Sequence, residues 1–143
     1  MKTKQAWVVD TCVLLDVLLD DPKFAQTSER CLIERGEQGL TICAVTIVEL
    51  AAALPDLIQL YDFLADYDIE TRDAWGPQDT EAAHSAWRDA LSRRRQNGTP
   101  RRPIADVFIG AFAQQRAGLI TRNPIDFKTL FPRLRQLVPG RHS

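Results

Sequence analysis

Short apolar runs alternate along the chain with longer segments that have helical periodicity. The first run, "AWVV" at residues 6–9, is continuous and ends at Asp10, which predicts a short strand buried on both faces. The run "LTICAV" at residues 40–45 predicts a second strand of the same kind. Shorter strand candidates follow as "YDIET" at 67–71, "LIT" at 119–121 and "LRQLV" at 134–138.

The segments between these runs carry apolar residues at helical spacing and helix-ending residues after them. Asp20, Asp21 and Pro22 end the first predicted helix, and the Asn97–Gly98 pair ends the long amphipathic helix that includes residues 82–91. The other predicted helices cover residues 11–19, 24–38, 46–54, 56–65 and 101–118. Strands that alternate with helices in this way predict an α/β fold with a mainly parallel sheet.

Composition adds limits on size, class and compartment. The 143 residues, 45% of them hydrophobic, predict one domain spanning residues 1–143. A net charge of -1 argues against a generally basic nucleic-acid-binding protein but allows a local basic patch. No apolar run approaches the roughly 20 residues of a membrane span, and no signal peptide is recognisable. Cys12, Cys31 and Cys43 lie in apolar settings, which predicts buried thiols in a reducing cytoplasm.

Four acidic residues fall near the predicted starts of separate helices: Asp10, Glu49, Asp106 and Asp126. Because the carboxyl ends of parallel strands and the helix N-termini that follow them share one edge, these acids could gather there. Their mutual repulsion would then call for a cation among them. Ligands that are all oxygen suit Mg²⁺ or Mn²⁺ and do not suit zinc, which normally takes His or Cys.

Each acid also has a purely structural explanation. Thr46-x-x-Glu49 fits a capping box, and Asn123-Pro124 fits an N-cap followed by proline at the first helical position. Asp106 could complement a helix dipole. Helix capping explains one such acid more readily than four along one predicted edge. Gly110, one turn after Asp106, would leave room for a ligand on that side of the helix.

With these residues identified, the chain resembles the PIN-domain ribonucleases, and within them the VapC-type toxins of bacterial toxin–antitoxin pairs. The matching stretches, in order along nearly the full length, are "VVDTCVLLD", "TICAVTIVELAAAL", "PIADVFIGAFAQQRAGLITRNPIDF" and "FPRLRQLVP". The resemblance implies a three-layer α/β/α domain around a parallel sheet and Mg²⁺- or Mn²⁺-dependent cleavage of RNA phosphodiester bonds. It also implies a homodimer and inhibition by a cognate VapB-type antitoxin.

The resemblance assigns four catalytic acids, of which the first three are the metal ligands: Asp10, Glu49, Asp106 and Asp126. Asn123 and Asp126 both lie in the "TRNPIDF" stretch, and either can occupy the fourth acidic position of the family. Asp126 is taken as the fourth acid and Asn123 as its polar neighbour. Thr11 and Thr121 match positions that carry supporting hydroxyls in the family.

Arginine side chains are the candidates for RNA contacts, since phosphate contacts position a nucleic acid without reading its sequence. The candidates are Arg93, Arg94, Arg95, Arg101, Arg102 and Arg122. A solvated helix end and loop would explain the first five equally well. Arg122 could either touch substrate or pair with Asp126.

Three other functions compete with this interpretation. A haloacid-dehalogenase-like phosphatase would need Asp-x-Asp at the first strand, and "DTC" at residues 10–12 lacks the second Asp. A non-catalytic PIN-like module that binds protein or RNA is the main alternative, and the presence of Asp10, Glu49 and Asp106 argues against it. A phosphoacceptor receiver domain would need an early acidic pair and a late, well-placed lysine. The only lysine after residue 23 is Lys128, so the receiver interpretation is poor.

Overall fold

The computed structural model of the chain describes residues 5–98 and 103–141. Within them, five short strands and seven helices follow one another. Their bounds are β1 Trp7–Val9, α1 Thr11–Leu18, α2 Ala25–Arg35, β2 Leu40–Thr41, α3 Ala44–Glu49, α4 Leu57–Asp66, β3 Ile69–Glu70, α5 Pro77–Asn97, α6 Ile104–Gln114, β4 Gly118–Ile120, α7 Pro124–Leu130 and β5 Gln136–Leu137.

The strands form one sheet in the order β3-β2-β1-β4-β5. Every neighbouring pair is parallel, with β1 at the centre between β2 and β4. Each of the five predicted strand segments contributes a strand to the sheet, so the prediction of an α/β fold with a mainly parallel sheet is confirmed.

Alternate residues of the central strand enter two separate cores. Trp7 and Val9 pack with residues of α1, α2 and α4, whereas Val8 packs with residues of α6 and α7. A strand covered on both faces needs an unbroken apolar sequence, which is what "WVV" provides. Helix α5 packs on the outer side of α6 through Ala83, Ala86 and their neighbours. Helices therefore cover both faces of the sheet, in three layers.

The start of α3 differs from the prediction. Residues 40–45 were predicted as a strand, but β2 ends at Thr41 and α3 begins at Ala44. The extended Cys43 serves as the N-cap, and its carbonyl accepts from the Thr46 amide at 2.9 Å. Thr46 therefore lies inside the helix and Glu49 is its last residue, so the capping-box interpretation of this pair is wrong.

The long helix before α6 ends where the Asn97–Gly98 pair predicts. Helix α5 continues through the arginines at 93–95 to Asn97 and ends at Gly98, whose φ of 65° suits glycine. The predicted start of α6 at residue 101 falls outside the described residues, and within them α6 begins at Ile104 after Pro103.

None of the helices in the described part of the chain combines the length and apolar character needed to cross a membrane. The three cysteines are free thiols, with Cys31 and Cys43 buried and Cys12 half-buried. The prediction of buried thiols is confirmed for Cys31 and Cys43 and is wrong for Cys12, which is partly exposed.

Candidate metal site at the carboxyl edge of the sheet

Asp10 and Thr121 meet where two neighbouring strands end. Val9 closes β1 and Ile120 closes β4, and these two residues are register partners. The residues that follow them lie side by side, and Thr121 Oγ1 donates to Asp10 Oδ2 at 2.7 Å. Asp10 also caps α1, because its Oδ1 accepts from the Thr11 amide at 2.8 Å. Helix capping therefore uses one oxygen of Asp10 and leaves the other facing Thr121.

Thr11 connects the start of α1 to Glu49 at the end of α3. Its hydroxyl donates to Glu49 Oε1 at 2.6 Å and lies 3.1 Å from the hydroxyl of Thr46. Thr46 is fully buried, whereas Glu49 is exposed. The buried hydroxyl of Thr11 thus holds one oxygen of a carboxylate whose side chain reaches solvent.

Asp10 carries its charge in an unfavourable setting. Burial raises the pKa of Asp10 above its ordinary value of 3.8, and the negative charge of Glu49 raises it further. Hydrogen bonds from Thr121, Cys12 and the Thr11 amide lower that pKa in part. All of these donors are neutral, and the side chain is only 5% exposed. Among the described residues, no cationic side chain pairs with this buried carboxylate, so its ionised form is costly.

Cys12 is a further donor to this carboxylate, with its Sγ 3.2 Å from Asp10 Oδ2. Burial, reinforced by the charge of Asp10, raises the pKa of Cys12 to about 12. The thiol therefore keeps its proton at neutral pH and remains able to donate.

Asp106 and Asp126 lie in the first turns of α6 and α7, and both are half-buried. Helix α7 starts four residues after β4 ends. Helix α6 packs on β1 and β4 and ends just before Gly118, the first residue of β4. A rise of about 1.5 Å per residue carries its first turn roughly 15 Å back along the sheet, to the carboxyl edge. The topology thus places Asp106 and Asp126 on the edge that holds Asp10 and Glu49.

The side chains at this edge offer oxygen ligands for a hard divalent cation. Within residues 5–98 and 103–141, no three His, Cys, Asp or Glu side chains form a group that could hold a metal by themselves. Mg²⁺ usually keeps several waters and is bound through one or two carboxylates. The donor set around Asp10 and Glu49 therefore fits a hard divalent cation that is held partly through water.

Three of the arginine candidates occupy the end of α5. Arg94 and Arg95 are exposed in its last turns, and Arg93 donates to the backbone oxygen of Thr129 at 3.4 Å. Since Thr129 belongs to α7, the basic end of α5 lies against one of the helices of the acidic edge. The candidates at 101–102 lie outside the described residues.

Arg122 binds Asp16. Its Nε lies 2.5 Å from Asp16 Oδ2 and its Nη2 lies 2.8 Å from Asp16 Oδ1. The sequence suggested Asp126 as a partner for Arg122. In the structure the guanidinium lies beside Asp16, on the buried side of α1.

Sequence reasoning missed two residues near the site and misinterpreted two others. Cys12 and Asp16 stood out only as polar groups in the apolar helix "TCVLLDVL", which was the available indication that each meets a buried partner. Thr46 was taken for a helix cap, although it packs beside Thr11. A Cβ on Gly110 would lie 2.3 Å from Phe131 Cε2, so this glycine makes room for a core side chain rather than for a ligand.

Known proteins share this fold. The sequence pattern described as the PIN domain matches residues 7–130. Two similar solved structures are VapBC2 from Rickettsia felis bound to a DNA fragment from their promoter, and DNA-bound VapBC from Salmonella typhimurium. Each has a TM-score of 0.60 and 17% identity, over 94% of this chain and 98% of the matched chain. No curated protein matches the sequence. At this identity, the structural likeness establishes the fold.

Proposed function

The chain belongs to the PIN domain family, whose members are generally nucleases, and on that premise we propose that it is a metal-dependent endoribonuclease. In this proposal, residues 1–143 form one PIN domain that hydrolyses RNA phosphodiester bonds with Mg²⁺ or Mn²⁺. The protein would act in the cytoplasm as the VapC-type toxin of a toxin–antitoxin pair.

The observation that carries the proposal is the buried carboxylate of Asp10 beside Glu49. Their hydrogen-bond donors among the described residues are the Thr11 amide and the side chains of Thr11, Cys12 and Thr121, all of which are neutral. Two carboxylates that repel each other without a protein cation favour an ion from solution. Structural acids do not need such a setting, whereas metal ligands do.

Asp10, Glu49 and Asp106 would hold the ion, directly or through water, and Asp126 would be the fourth catalytic acid. When bound, the metal would lower the pKa of a coordinated water and neutralise charge on the scissile phosphate. The protein contributes orientation, because Thr121 fixes one oxygen of Asp10 and Thr11 fixes one oxygen of Glu49. Asn123 is exposed, and its backbone amide donates to the Thr121 hydroxyl at 3.0 Å.

The end of α5 would bind the RNA backbone. Arg94 and Arg95 are exposed there, and Arg93 ties this end to α7. Arg101 and Arg102, which lie outside the described residues, are the other proposed RNA contacts. The acidic edge repels phosphate until a cation is bound, so RNA binding should depend on the metal as well as on these arginines.

An antitoxin and a second copy of the chain are the proposed protein partners. Both structural neighbours are VapBC complexes, which supports a VapB-type antitoxin as the partner here. The homodimer follows from the family resemblance of the sequence.

The experiment that tests the nuclease function is RNA cleavage by the purified chain with Mg²⁺, with Mn²⁺ and with a chelator. Asp106→Asn should abolish metal-dependent cleavage, and Asp62→Asn, on the exposed face of α4, serves as the matched control that should cleave normally. A folded Asp106→Asn protein that cuts RNA at the parent rate would refute the assignment. A folded parent chain that binds RNA but never cuts it would favour the non-catalytic PIN-like module.

A further inference from the structure

The ion pair between Asp16 and Arg122 is built from several contacts. The guanidinium makes two hydrogen bonds to the carboxylate, at 2.5 and 2.8 Å. Asp16 is 3% exposed and accepts a further hydrogen bond from Ser28 Oγ at 2.8 Å. The Arg122 guanidinium also lies over the ring of Phe24, 4.1 Å from its centroid. A fork-like, two-point contact of this kind fixes orientation as well as distance.

The pair attaches the loop between β4 and α7 to α1. Arg122 stands between Thr121 and Asn123 in the chain. The Thr121 hydroxyl donates to Asp10 at 2.7 Å, and it accepts from the backbone amide of Asn123 at 3.0 Å. Helix α1 begins directly after Asp10 and carries Asp16 six residues further on. The loop and the helix are therefore joined twice, once at the candidate metal ligand and once at the ion pair.

This arrangement leaves Arg122 poorly suited to bind RNA. Its charge is offset by Asp16, and one face of its guanidinium is covered by Phe24. The hydrogen bonds to Asp16 raise the pKa of Arg122, so the guanidinium stays charged and the pair stays formed. What the residue controls is the placement of its two neighbours in the chain.

We propose that Asp16 and Arg122 are positioning residues, which hold Thr121 against Asp10 and so set the geometry of the candidate metal site. The inference rests on the proposed function for its catalytic consequence. Its structural part, that the ion pair orders the loop at residues 121–123, is independent of the nuclease activity.

The chain offers a matched control in a second arginine. Arg116 Nε lies 2.7 Å from Asp73 Oδ2, Arg116 Nη1 lies 3.2 Å from Asp79 Oδ1, and the guanidinium lies 3.4 Å from the centroid of the Phe112 ring. The chemistry is that of the Arg122 pair, a guanidinium held by carboxylate and phenyl ring. Arg116 follows the C-terminal end of α6, at the end of the helix opposite to Asp106.

The test compares Arg122→Met with Arg116→Met in the full chain by two readouts. The first is the hydrogen-exchange rate of the Asn123 backbone amide, measured by NMR without metal or RNA. The second is kcat and KM for RNA cleavage with Mg²⁺, at a temperature where both variants are folded. Arg122→Met should accelerate Asn123 exchange and lower kcat by about 10- to 100-fold with KM nearly unchanged. Arg116→Met should leave Asn123 exchange and kcat as they are in the parent.

A second variant covers the case in which Arg122→Met does not fold, because it leaves the buried charge of Asp16 without a partner. The Asp16→Asn/Arg122→Met double variant removes both charges and should show the same fast exchange at Asn123. Parent-like exchange and kcat in a folded Arg122 variant would overturn the inference. A raised KM with an unchanged kcat would overturn it too, because Arg122 would then be an RNA contact. If the parent chain cleaves no RNA, the nuclease proposal fails, and the exchange result still decides the role of the ion pair.

Discussion

Two regions of the molecule bury carboxylates, and they differ in whether a protein cation offsets the negative charge. Around Arg116, the carboxylates of Asp73 and Asp79 share a guanidinium that is itself only 7% exposed. At the carboxyl edge of the sheet, Asp10 is equally buried but meets only neutral donors among the described residues, with Glu49 near it. The first region is complete as a structural element. In the second, no protein cation offsets the charge among the described residues, which is the physical basis for the metal proposed there.

The largest expected effect separates the two regions by activity. Asp10→Asn should reduce metal-dependent RNA cleavage by about 1000-fold or more, roughly 4 kcal/mol of lost transition-state stabilisation. Asp79→Asn changes a carboxylate of similar burial in the other region and should leave kcat close to the parent value. Cleavage rates of the two variants, measured side by side with circular dichroism as a check on folding, decide this. Equal losses in both would mean that burial, not position at the site, determines the effect.

The next effect separates the regions by stability. Arg116→Met leaves the buried carboxylate of Asp79 and the largely buried one of Asp73 without their cation, and should lower the free energy of unfolding by about 3 kcal/mol. Arg88→Met is the control, because Arg88 and Asp89 form an ion pair in which both side chains are more than half exposed, worth less than about 1 kcal/mol. Urea unfolding of both variants measures the difference. A loss for Arg116→Met no larger than that for Arg88→Met would contradict the account of a buried, compensated cluster.

The smallest effect is a pH dependence in the metal-free protein. Because the pKa of Asp10 is raised above 3.8 in the folded state, the folded state retains a proton that the unfolded state has lost. Stability should therefore fall as the pH rises from about 4 through the raised pKa of Asp10. The free energy of unfolding is measured with urea at each pH for the parent and for Asp10→Asn. The difference between the two isolates this contribution, since the variant cannot lose that proton. A parent-minus-variant difference that is flat or rises with pH would show that Asp10 is not destabilised by ionisation.

The sequence predicts the frame of the molecule because its determinants are local. A short, Val-rich, unbroken apolar run favours a strand covered on both faces, so the end of β1 just before Asp10 follows from a local pattern. The end of α5 is equally local, since Gly98 takes up the left-handed conformation that ends a helix.

The features that escaped prediction depend on partners distant in the chain. Arg122 and Asp16 are 106 positions apart, and no local pattern connects them. Thr46 imitates a helix cap in sequence, while its burial against Thr11 comes from the packing of α3 on α1. Gly110 is explained by Phe131, which lies on the far side of β4 in sequence. The candidate acids could be named from the sequence, but the groups that hold them in place could not.

The central claim is that the carboxyl edge of the sheet binds a divalent cation through Asp10 and Glu49. Its most direct test is a crystal structure of the chain grown with Mn²⁺ and measured at a wavelength where manganese scatters anomalously. The account predicts an anomalous peak about 2 Å from a carboxylate oxygen of Asp10 or bridged to it by water, and no such peak in Asp10→Asn. Manganese bound elsewhere, with an empty edge at a concentration that supports cleavage, would contradict the account.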